Sequence, residues 1–232
     1  KKIVVPSSSS MDDIKNEFQV KENKMKRVMN GIDLKVFYPD PKIQKIPFKL
    51  VTVASADVPL KGLDYLLKAL PDLVKVYPDI SLSVIGEQKT GGHTERLIKK
   101  LNLEKRVNFF SNLTQEELRI TYCRAELAII PSLYEGFGFA AIEAMACGVP
   151  LISTSGGALP EVVKDAGIII PPKNVKEIYN SIDLLLSSPD RAKDFAEKAL
   201  KRANPKFSWE AVAKKLEKVY FKEIEIHKHA NN

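Results

Sequence analysis

The segment Pro131-Ser-Leu-Tyr-Glu-Gly-Phe-Gly-Phe-Ala-Ala-Ile-Glu-Ala-Met-Ala-Cys-Gly148 decides the interpretation of this chain. The apolar run Leu127-Ala-Ile-Ile130 before it predicts a buried strand, and the alanine-rich run 139–147 predicts a helix. A Gly-Phe-Gly turn joins the two, with Glu135 before the turn and Glu143 inside the helix. A helix N-terminus offers unpaired N–H groups and the positive end of a dipole, so it suits a diphosphate. Carboxylates beside it can accept hydrogen bonds from sugar hydroxyls, so the segment predicts a pocket for a nucleotide sugar.

The rest of the chain alternates short apolar runs with helical patterns. Strands are expected at 2–6, 25–29, 49–54, 80–86, 106–110, 126–131, 149–153 and 167–170. Helices are expected at 11–18, 61–76, 94–101, 114–122, 139–147, 158–164, 174–187, 190–203 and 208–226. This alternation predicts an α/β fold, a Rossmann-like parallel sheet with helices on both faces. Such sheets bind ligands beyond the carboxyl ends of their strands, which is where Glu135 to Phe139 lie.

The positive charge of the chain is concentrated at its two ends. The formal net charge is +7, of which residues 1–47 contribute +4, residues 201–232 another +4, and residues 48–200 only −1. A nucleic-acid-binding protein should carry its basic surface where its functional motifs lie, so this distribution argues against nucleic acid as a partner. Solvated lysines are the simpler interpretation. A basic face that touches an anionic membrane is the weaker alternative.

Seven residues separate Glu135 from Glu143, and this E-x7-E spacing resembles the signature of retaining glycosyltransferases with the GT-B fold, especially glycosyltransferase family 4 (group 1). The resemblance covers about residues 25–220, because further segments match it in order: 60–67, 153–161, 167–172 and 207–209. A single pair of glutamates at this spacing is weak evidence, whereas the ordered series is specific. The resemblance implies that the chain is the C-terminal half of a GT-B fold.

The resemblance also implies a division of the chain into three parts. Residues 1–47 would be the tail of an N-terminal domain and an interdomain linker, 48–205 the donor-binding domain, and 206–232 a crossover helix and tail. The chain does not begin with Met and opens on a strand-like segment, so we expect a longer protein. Without the rest of its domain, the 1–30 unit should expose apolar surface, which would favour self-association.

The resemblance assigns two catalytic residues and a donor-binding set. Lys61 would neutralise the departing diphosphate, and Glu135 would accept hydrogen bonds from hydroxyls of the transferred sugar. Glu143 would hold the ribose. The donor-binding set is completed by Gly136, Phe137, Gly138, Phe139, Ser55, Gly156 and Gly157.

Within this set, the amides of Phe137, Gly138 and Phe139 would face the distal phosphate and the sugar. Gly136 and Gly138 permit a close approach because they carry no Cβ. Gly156 and Gly157 would form a flexible turn near the phosphates. Glu161 is expected in the first turn of the next helix, where the dipole favours an acid, and it is given no chemical role.

Ser55 departs from the family pattern, which has an arginine six residues before the lysine. The loss of one charge-assisted hydrogen bond to a phosphate costs about 1.5–3 kcal/mol. Another cation replaces it, or donor affinity is modest, or the Val53-Ala-Ser-Ala-Asp57 form marks a subfamily. The sequence leaves these alternatives open.

The implied function is transfer of a hexose from a nucleoside diphosphate sugar, such as a UDP- or GDP-hexose, to a sugar or lipid-linked acceptor. No aspartate-rich motif stands near the pocket, so we expect no metal ion and no further cofactor. The acceptor would lie mainly on the N-terminal domain, so the isolated chain should be inactive. We expect a cytoplasmic protein, with peripheral contact to the inner face of the membrane as an alternative. A non-catalytic nucleotide-binding regulatory module and a GT-B-like sugar-nucleotide epimerase remain as alternative functions.

Overall fold

A small unit of residues 2–28 opens the computed structural model, which describes residues 2–230. Strand β1 (Ile3–Val5) pairs in parallel with β2 (Met25–Arg27), and helix α1 (Ser8–Phe18) connects them. Helix α1 begins three residues earlier than the sequence predicted, because the Ser7 side chain caps it by accepting a hydrogen bond from the Ser10 amide. Residues 1, 231 and 232 lie outside the described range. They are the outermost residues of the expected segments 1–47 and 206–232.

The main part of the chain is built on a six-stranded sheet in which all neighbouring strands are parallel. Its strands are β3 (Lys49–Val53), β4 (Ser81–Ile85), β5 (Val107–Phe110), β6 (Leu127–Ile130), β7 (Leu151–Thr154) and β8 (Ile168–Ile170). Their spatial order is β5-β4-β3-β6-β7-β8. The chain first builds outward from β3 to β5 and then returns to add β6 on the other side of β3. The direction of winding therefore reverses between β3 and β6, and a doubly wound sheet binds its ligand at such a point.

Helices cover both faces of this sheet. They are α2 (Leu63–Val76), α3 (His93–Lys100), α4 (Gln115–Arg124), α5 (Phe139–Ala146), α6 (Leu159–Val163), α7 (Val175–Leu186), α8 (Pro189–Ala203) and α9 (Trp209–Ala230). One buried apolar cluster joins the sheet to α2, α3 and α7, and a second joins it to α4, α5, α6 and α8. Because β6 and β7 lie between these layers, every residue of both strands is buried. The predicted α/β fold, a Rossmann-like parallel sheet with helices on both faces, is confirmed.

One helix boundary differs from the prediction at a site residue. Lys61 was expected to open the helix 61–76, but it ends a short 3-10 turn (Pro59–Lys61), and α2 begins at Leu63. Gly62 separates the two with φ of 65°, a left-handed conformation that interrupts the helical path. Lys61 therefore extends from a loop and not from a helix.

The last helix begins where the sequence predicted. The Ser208 hydroxyl accepts a hydrogen bond from the Ala211 amide at 3.1 Å, which caps the start of α9. Phe207 is fully buried, and its carbonyl accepts a hydrogen bond from the Ile32 amide at 2.8 Å. This contact holds the segment after β2 against the start of α9.

Candidate active site

The candidate site lies at the carboxyl ends of β3 and β6, where the winding of the sheet reverses. The loop after β3 carries Lys61, and the loop after β6 carries Glu135. The two loops are joined directly, because the Leu133 amide donates a hydrogen bond to the Leu60 carbonyl at 2.7 Å. A Cβ at Gly62 would lie 2.0 Å from the carbonyl oxygen of Pro131, so only glycine permits this approach.

Lys61 and Glu135, the two residues predicted to be catalytic, form an ion pair. The lysine Nζ lies 2.7 Å from Glu135 Oε1, and the Ser132 hydroxyl donates to the same oxygen at 2.8 Å. The side chain of Glu135 is 15% exposed and that of Lys61 is 35% exposed. The pair is therefore partly shielded from water, with the lysine the more exposed of the two.

The Gly-Phe-Gly turn leads into α5 without a side-chain cap. Gly138 occupies the N-cap position with φ of 100°, and no side chain accepts a hydrogen bond from the first-turn amides. These amides have no partner within the helix, so the start of α5 is suited to bind an anion.

The two phenylalanines of this turn have different environments. Phe137 is buried, with its ring edge-to-face on Phe139 and Phe207, so its side chain supports the core and only its backbone can face a ligand. Phe139 is exposed.

Glu143 lies one turn into α5 and is paired with a residue that the sequence did not indicate. The Tyr122 hydroxyl, from α4, donates a hydrogen bond to Glu143 Oε2 at 3.0 Å. Burial raises the pKa of the Glu143 carboxyl, and the hydrogen bond from Tyr122 opposes this shift. Burial and the nearby carboxylate raise the pKa of Tyr122, so its hydroxyl stays protonated as a donor.

The Gly156–Gly157 turn is packed against the loop that carries Glu135. A Cβ at Gly156 would lie 2.6 Å from the Leu133 carbonyl oxygen, and one at Gly157 would lie 2.3 Å from that of Glu135. The Ala158 amide also donates to the Glu135 carbonyl at 2.8 Å. These glycines therefore allow backbone to pack on backbone, and the expected flexibility of the turn stays a prediction.

Ser55 is exposed at the end of β3 and brings no charge to the site. The segment that follows it is held by the start of α3. Asp57 Oδ1 accepts hydrogen bonds from the amide and hydroxyl of Thr94, at 2.8 and 2.9 Å. These hydrogen bonds, with the backbone bond from Thr94 the largest cause, lower the pKa of Asp57. At the position where the resemblance expects an arginine, the chain thus has an uncharged residue, on a loop that hydrogen bonds hold to the start of α3.

The start of α1 contacts the loop that carries Glu135. The hydroxyls of Ser7 and Ser10 donate to the Gly136 carbonyl at 2.7 and 3.2 Å. Glu161, in the first turn of α6, accepts a hydrogen bond from the Ser8 amide at 2.7 Å and pairs with Arg27 at 2.7 Å. Glu161 lies in the predicted first turn, but it also binds the first unit to the rest of the chain.

Two further properties concern the whole described range. Among the side chains that the structure describes, no group of three or more His, Cys, Asp or Glu is arranged to hold a metal ion. Over the same residues, no helix combines the length and apolar character needed to cross a membrane.

The comparisons with known proteins agree on one family. A family model described as Glycosyl transferases group 1 matches residues 40–202. MMP alpha-(1->4)-mannosyltransferase of Mycolicibacterium hassiacum is 38% identical over 225 residues, which are 96% of this chain and 54% of that protein. The chain spans about half the length of the curated relatives it matches.

Solved structures share the same fold. Sucrose-phosphate synthase from Thermosynechococcus elongatus superposes with a TM-score of 0.84 at 26% identity, over 96% of this chain and 58% of that one. Anabaena HepE, solved in complex with UDP and glucose, gives a TM-score of 0.83 at 20% identity, over 94% of this chain and 62% of its own. At that identity the second match supports the fold alone.

Proposed function

Because the chain belongs to the family of glycosyl transferases group 1, we propose that it binds a nucleoside diphosphate sugar and supports transfer of the hexose with retention of anomeric configuration. The observation that carries this proposal is the 2.7 Å contact of Lys61 with Glu135 beside the uncapped start of α5. A cation and free helix amides suit a diphosphate, and a carboxylate suits sugar hydroxyls.

In this proposal the protein acts mainly through electrostatics. Lys61 and the amides of Phe137, Gly138 and Phe139 stabilise the charge that develops on the leaving diphosphate. Glu135 accepts hydrogen bonds from the transferred sugar and fixes its orientation. Bound diphosphate would compete with Glu135 for the ammonium of Lys61, so the sugar hydroxyls would replace the lysine as donors to the carboxylate.

The nucleotide would extend from the diphosphate towards Glu143, whose carboxylate would accept hydrogen bonds from the ribose hydroxyls. Gly156 and Gly157 would keep the loop of Glu135 in place beneath the sugar. A hexose donor is favoured by the name of the mannosyltransferase relative. We include no metal ion and no other cofactor. With Ser55 uncharged, Lys61 is the cation on which diphosphate binding depends most.

The acceptor, a sugar or a lipid-linked sugar, would bind mainly to a preceding domain, in line with the length of the relatives. Transfer requires donor and acceptor in near-attack geometry, so the 232-residue chain alone would have negligible activity and could self-associate through exposed Ile3, Val4 and Phe18. The proposal places the reaction in the cytoplasm, where free Cys123 and Cys147 stay reduced. Contact of the basic ends with an anionic membrane is part of the same proposal.

Calorimetric titration of the chain with UDP, GDP and the matching nucleotide sugars, in EDTA, tests this assignment. Glu143→Ala should weaken free nucleotide and nucleotide sugar alike, because both contain the ribose. Glu135→Ala should weaken only the nucleotide sugar. Each lost hydrogen bond to a carboxylate is expected to cost roughly ten- to a hundredfold in affinity. Glu197→Ala, on the exposed surface of α8, is the matched control and should change neither affinity.

Four outcomes would contradict the proposal. No binding of any nucleotide would reject the pocket, and equal loss of free nucleotide binding in both glutamate variants would reject the division of roles. Conversion of free donor to an epimer by the full-length protein would favour the epimerase. If the full-length protein binds donor but neither transfers nor hydrolyses it, the chain is a regulatory nucleotide-binding module.

A further inference from the structure

Tyr122 is a large, fully buried side chain whose only polar atom contacts the candidate site. The tyrosine lies on α4, and its hydroxyl meets Glu143 Oε2 on α5 at 3.0 Å, with the Ala140 carbonyl at 3.4 Å. The surrounding cluster is apolar, and the next residues of α5, Ala144 and Met145, are fully buried. Phenylalanine would fill the same space without burying a hydroxyl, so packing alone does not explain the tyrosine.

The hydrogen bond leaves the two oxygens of Glu143 in different states. Oε2 is occupied by Tyr122. Among the described side chains no donor reaches Oε1, and the Glu143 side chain as a whole is partly exposed. A carboxylate that is free to rotate would expose either oxygen. Held by Tyr122, the carboxylate keeps Oε2 engaged and leaves Oε1 as the oxygen that can accept a further hydrogen bond.

We propose that Tyr122 is a positioning residue, which holds one oxygen of Glu143 so that the other accepts hydrogen bonds from the ribose hydroxyls of the nucleotide. This inference rests on the proposed function, because it assumes that Glu143 faces the ribose. It adds a consequence: the tyrosine hydroxyl supports discrimination between ribonucleotides and deoxyribonucleotides, although it does not touch the ligand.

Tyr122→Phe tests the proposal, because it removes one oxygen atom and keeps the ring. UDP, its 2′-deoxy analogue and inorganic pyrophosphate are titrated into wild type and variant. Affinity for UDP should fall about three- to tenfold, the effect of one lost hydrogen bond that orders a contact. Affinity for the deoxy analogue should fall less, and pyrophosphate should bind as in wild type. A purely structural role would weaken all three ligands together.

The chain contains a matched control pair at a distance from the site. The Tyr77 hydroxyl, at the C-terminal end of α2, donates to Asp183 Oδ1 at 2.7 Å. Tyr77→Phe removes an equivalent tyrosine–carboxylate hydrogen bond and should leave all three affinities unchanged. In a Glu143→Ala background, Tyr122→Phe should have no further effect on UDP binding, because the group that it positions is absent.

If Tyr122→Phe does not fold, Glu143→Asp provides the second test. The shorter side chain keeps the carboxylate but withdraws it from the Tyr122 hydroxyl, so discrimination between UDP and its deoxy analogue should fall as in Glu143→Ala. Full discrimination in either Tyr122→Phe or Glu143→Asp would overturn the inference. If wild type binds none of the nucleotides, the proposed function itself fails. This result differs from failure of the inference alone, in which wild type binds UDP and the variants keep full discrimination.

Discussion

Lys61 and Glu135 meet across the carboxyl edge of the sheet, with the lysine Nζ 2.7 Å from the glutamate Oε1. Their loops follow β3 and β6, the neighbouring strands between which the winding of the sheet reverses. The two charges are thus brought together by the topology, across 74 positions of sequence. This edge of the sheet therefore carries an opposed pair of charges, an ammonium that suits an anionic group and a carboxylate that can accept hydrogen bonds from hydroxyls.

Lys61→Met should weaken binding of a nucleoside diphosphate. The variant removes the ammonium but keeps an unbranched side chain, so the loop should remain folded. The expected loss is about 1.5–3 kcal/mol, or roughly ten- to a hundredfold in affinity. The remaining affinity should also depend less on salt, because one ionic contact is gone.

Lys75→Met is the control for this experiment. Lys75 pairs with Asp72 at 2.6 Å near the opposite end of α2, roughly 20 Å away along a helix of this length. Nucleotide affinity should be unchanged in this variant. Equal affinity in Lys61→Met and wild type, measured by calorimetry, would remove Lys61 from the diphosphate site.

Gly157→Ala should damage both stability and donor binding. Gly157 has φ of 60°, and a Cβ there would lie 2.3 Å from the carbonyl oxygen of Glu135. The left-handed conformation alone costs about 1–3 kcal/mol for a residue with a side chain, and the clash would displace the loop of Glu135. We expect a lower melting temperature together with weaker binding of nucleotide sugar.

The comparison for this variant is Gly91→Ala. Gly91 also has positive φ, of 71°, but no atom lies within 4 Å of a Cβ built there. It should lose stability through backbone strain while keeping donor affinity. Equal donor affinity in Gly157→Ala and Gly91→Ala would contradict the view that the Gly156–Gly157 turn supports the loop of Glu135.

The sequence predicted the elements of the main sheet closely, because its signals are local. The run Leu127–Ile130 became β6, and the alanine-rich run after Gly138 became α5. Boundaries failed where a turn residue changed the backbone path. Gly62 ends the 3-10 turn that contains Lys61, before the helix begins. The glycine directly after Lys61 was the signal in the sequence that could have placed this boundary.

The contacts between distant residues could not be predicted from the sequence. Tyr122 was counted only as a helical residue, although it lies against Glu143, and the serines around Ser7 gave no sign of reaching Gly136. These contacts span 21 and 129 positions, and no local pattern encodes them. Helix propensity misplaced the start of α1, because a run of four serines is a poor helix former. The first of these serines, Ser7, is a good N-cap, and the helix begins directly after it.

Glu161→Ala should loosen the first unit. The residue accepts a hydrogen bond from the Ser8 amide at the start of α1 and pairs with Arg27, so the variant loses a cap and an ion pair. We expect a loss of about 0.5–2 kcal/mol in the local stability of α1, and a smaller loss for Arg27→Ala, because a partly exposed pair contributes less than about 1 kcal/mol. Hydrogen exchange should quicken in peptides from residues 3–27 and stay unchanged in β6 and β7.

Glu177→Ala serves as the reference for this exchange experiment. Glu177 also lies in the first turn of its helix, α7, so helix-dipole effects are matched. Exchange in residues 3–27 should equal that of wild type. Global acceleration of exchange in Glu161→Ala, including β6 and β7, would show that Glu161 supports the whole fold and not the junction with the first unit.

The raised pKa of Glu143 predicts a pH dependence of stability. Burial raises the pKa of this carboxyl above its ordinary value of 4.5, so the folded chain holds the proton more tightly than the unfolded chain does. Between 4.5 and the raised pKa the folded state therefore binds more protons, and the free energy of unfolding falls as pH rises through this window. The stabilising contribution is complete below the window and lost above it.

Glu143→Gln isolates this effect, because the amide does not titrate and fills nearly the same space. Urea unfolding followed upwards from about pH 4, where an ordinary Glu carboxyl titrates, to about pH 8 should show the variant gaining stability relative to wild type as pH rises through the window. Glu197→Gln, at an exposed position of α8, should keep a constant difference from wild type. A constant difference for Glu143→Gln as well would mean that Glu143 is not held in a desolvated setting. Ionisation of Glu143, which the proposed ribose contact needs, would then not lower the free energy of unfolding.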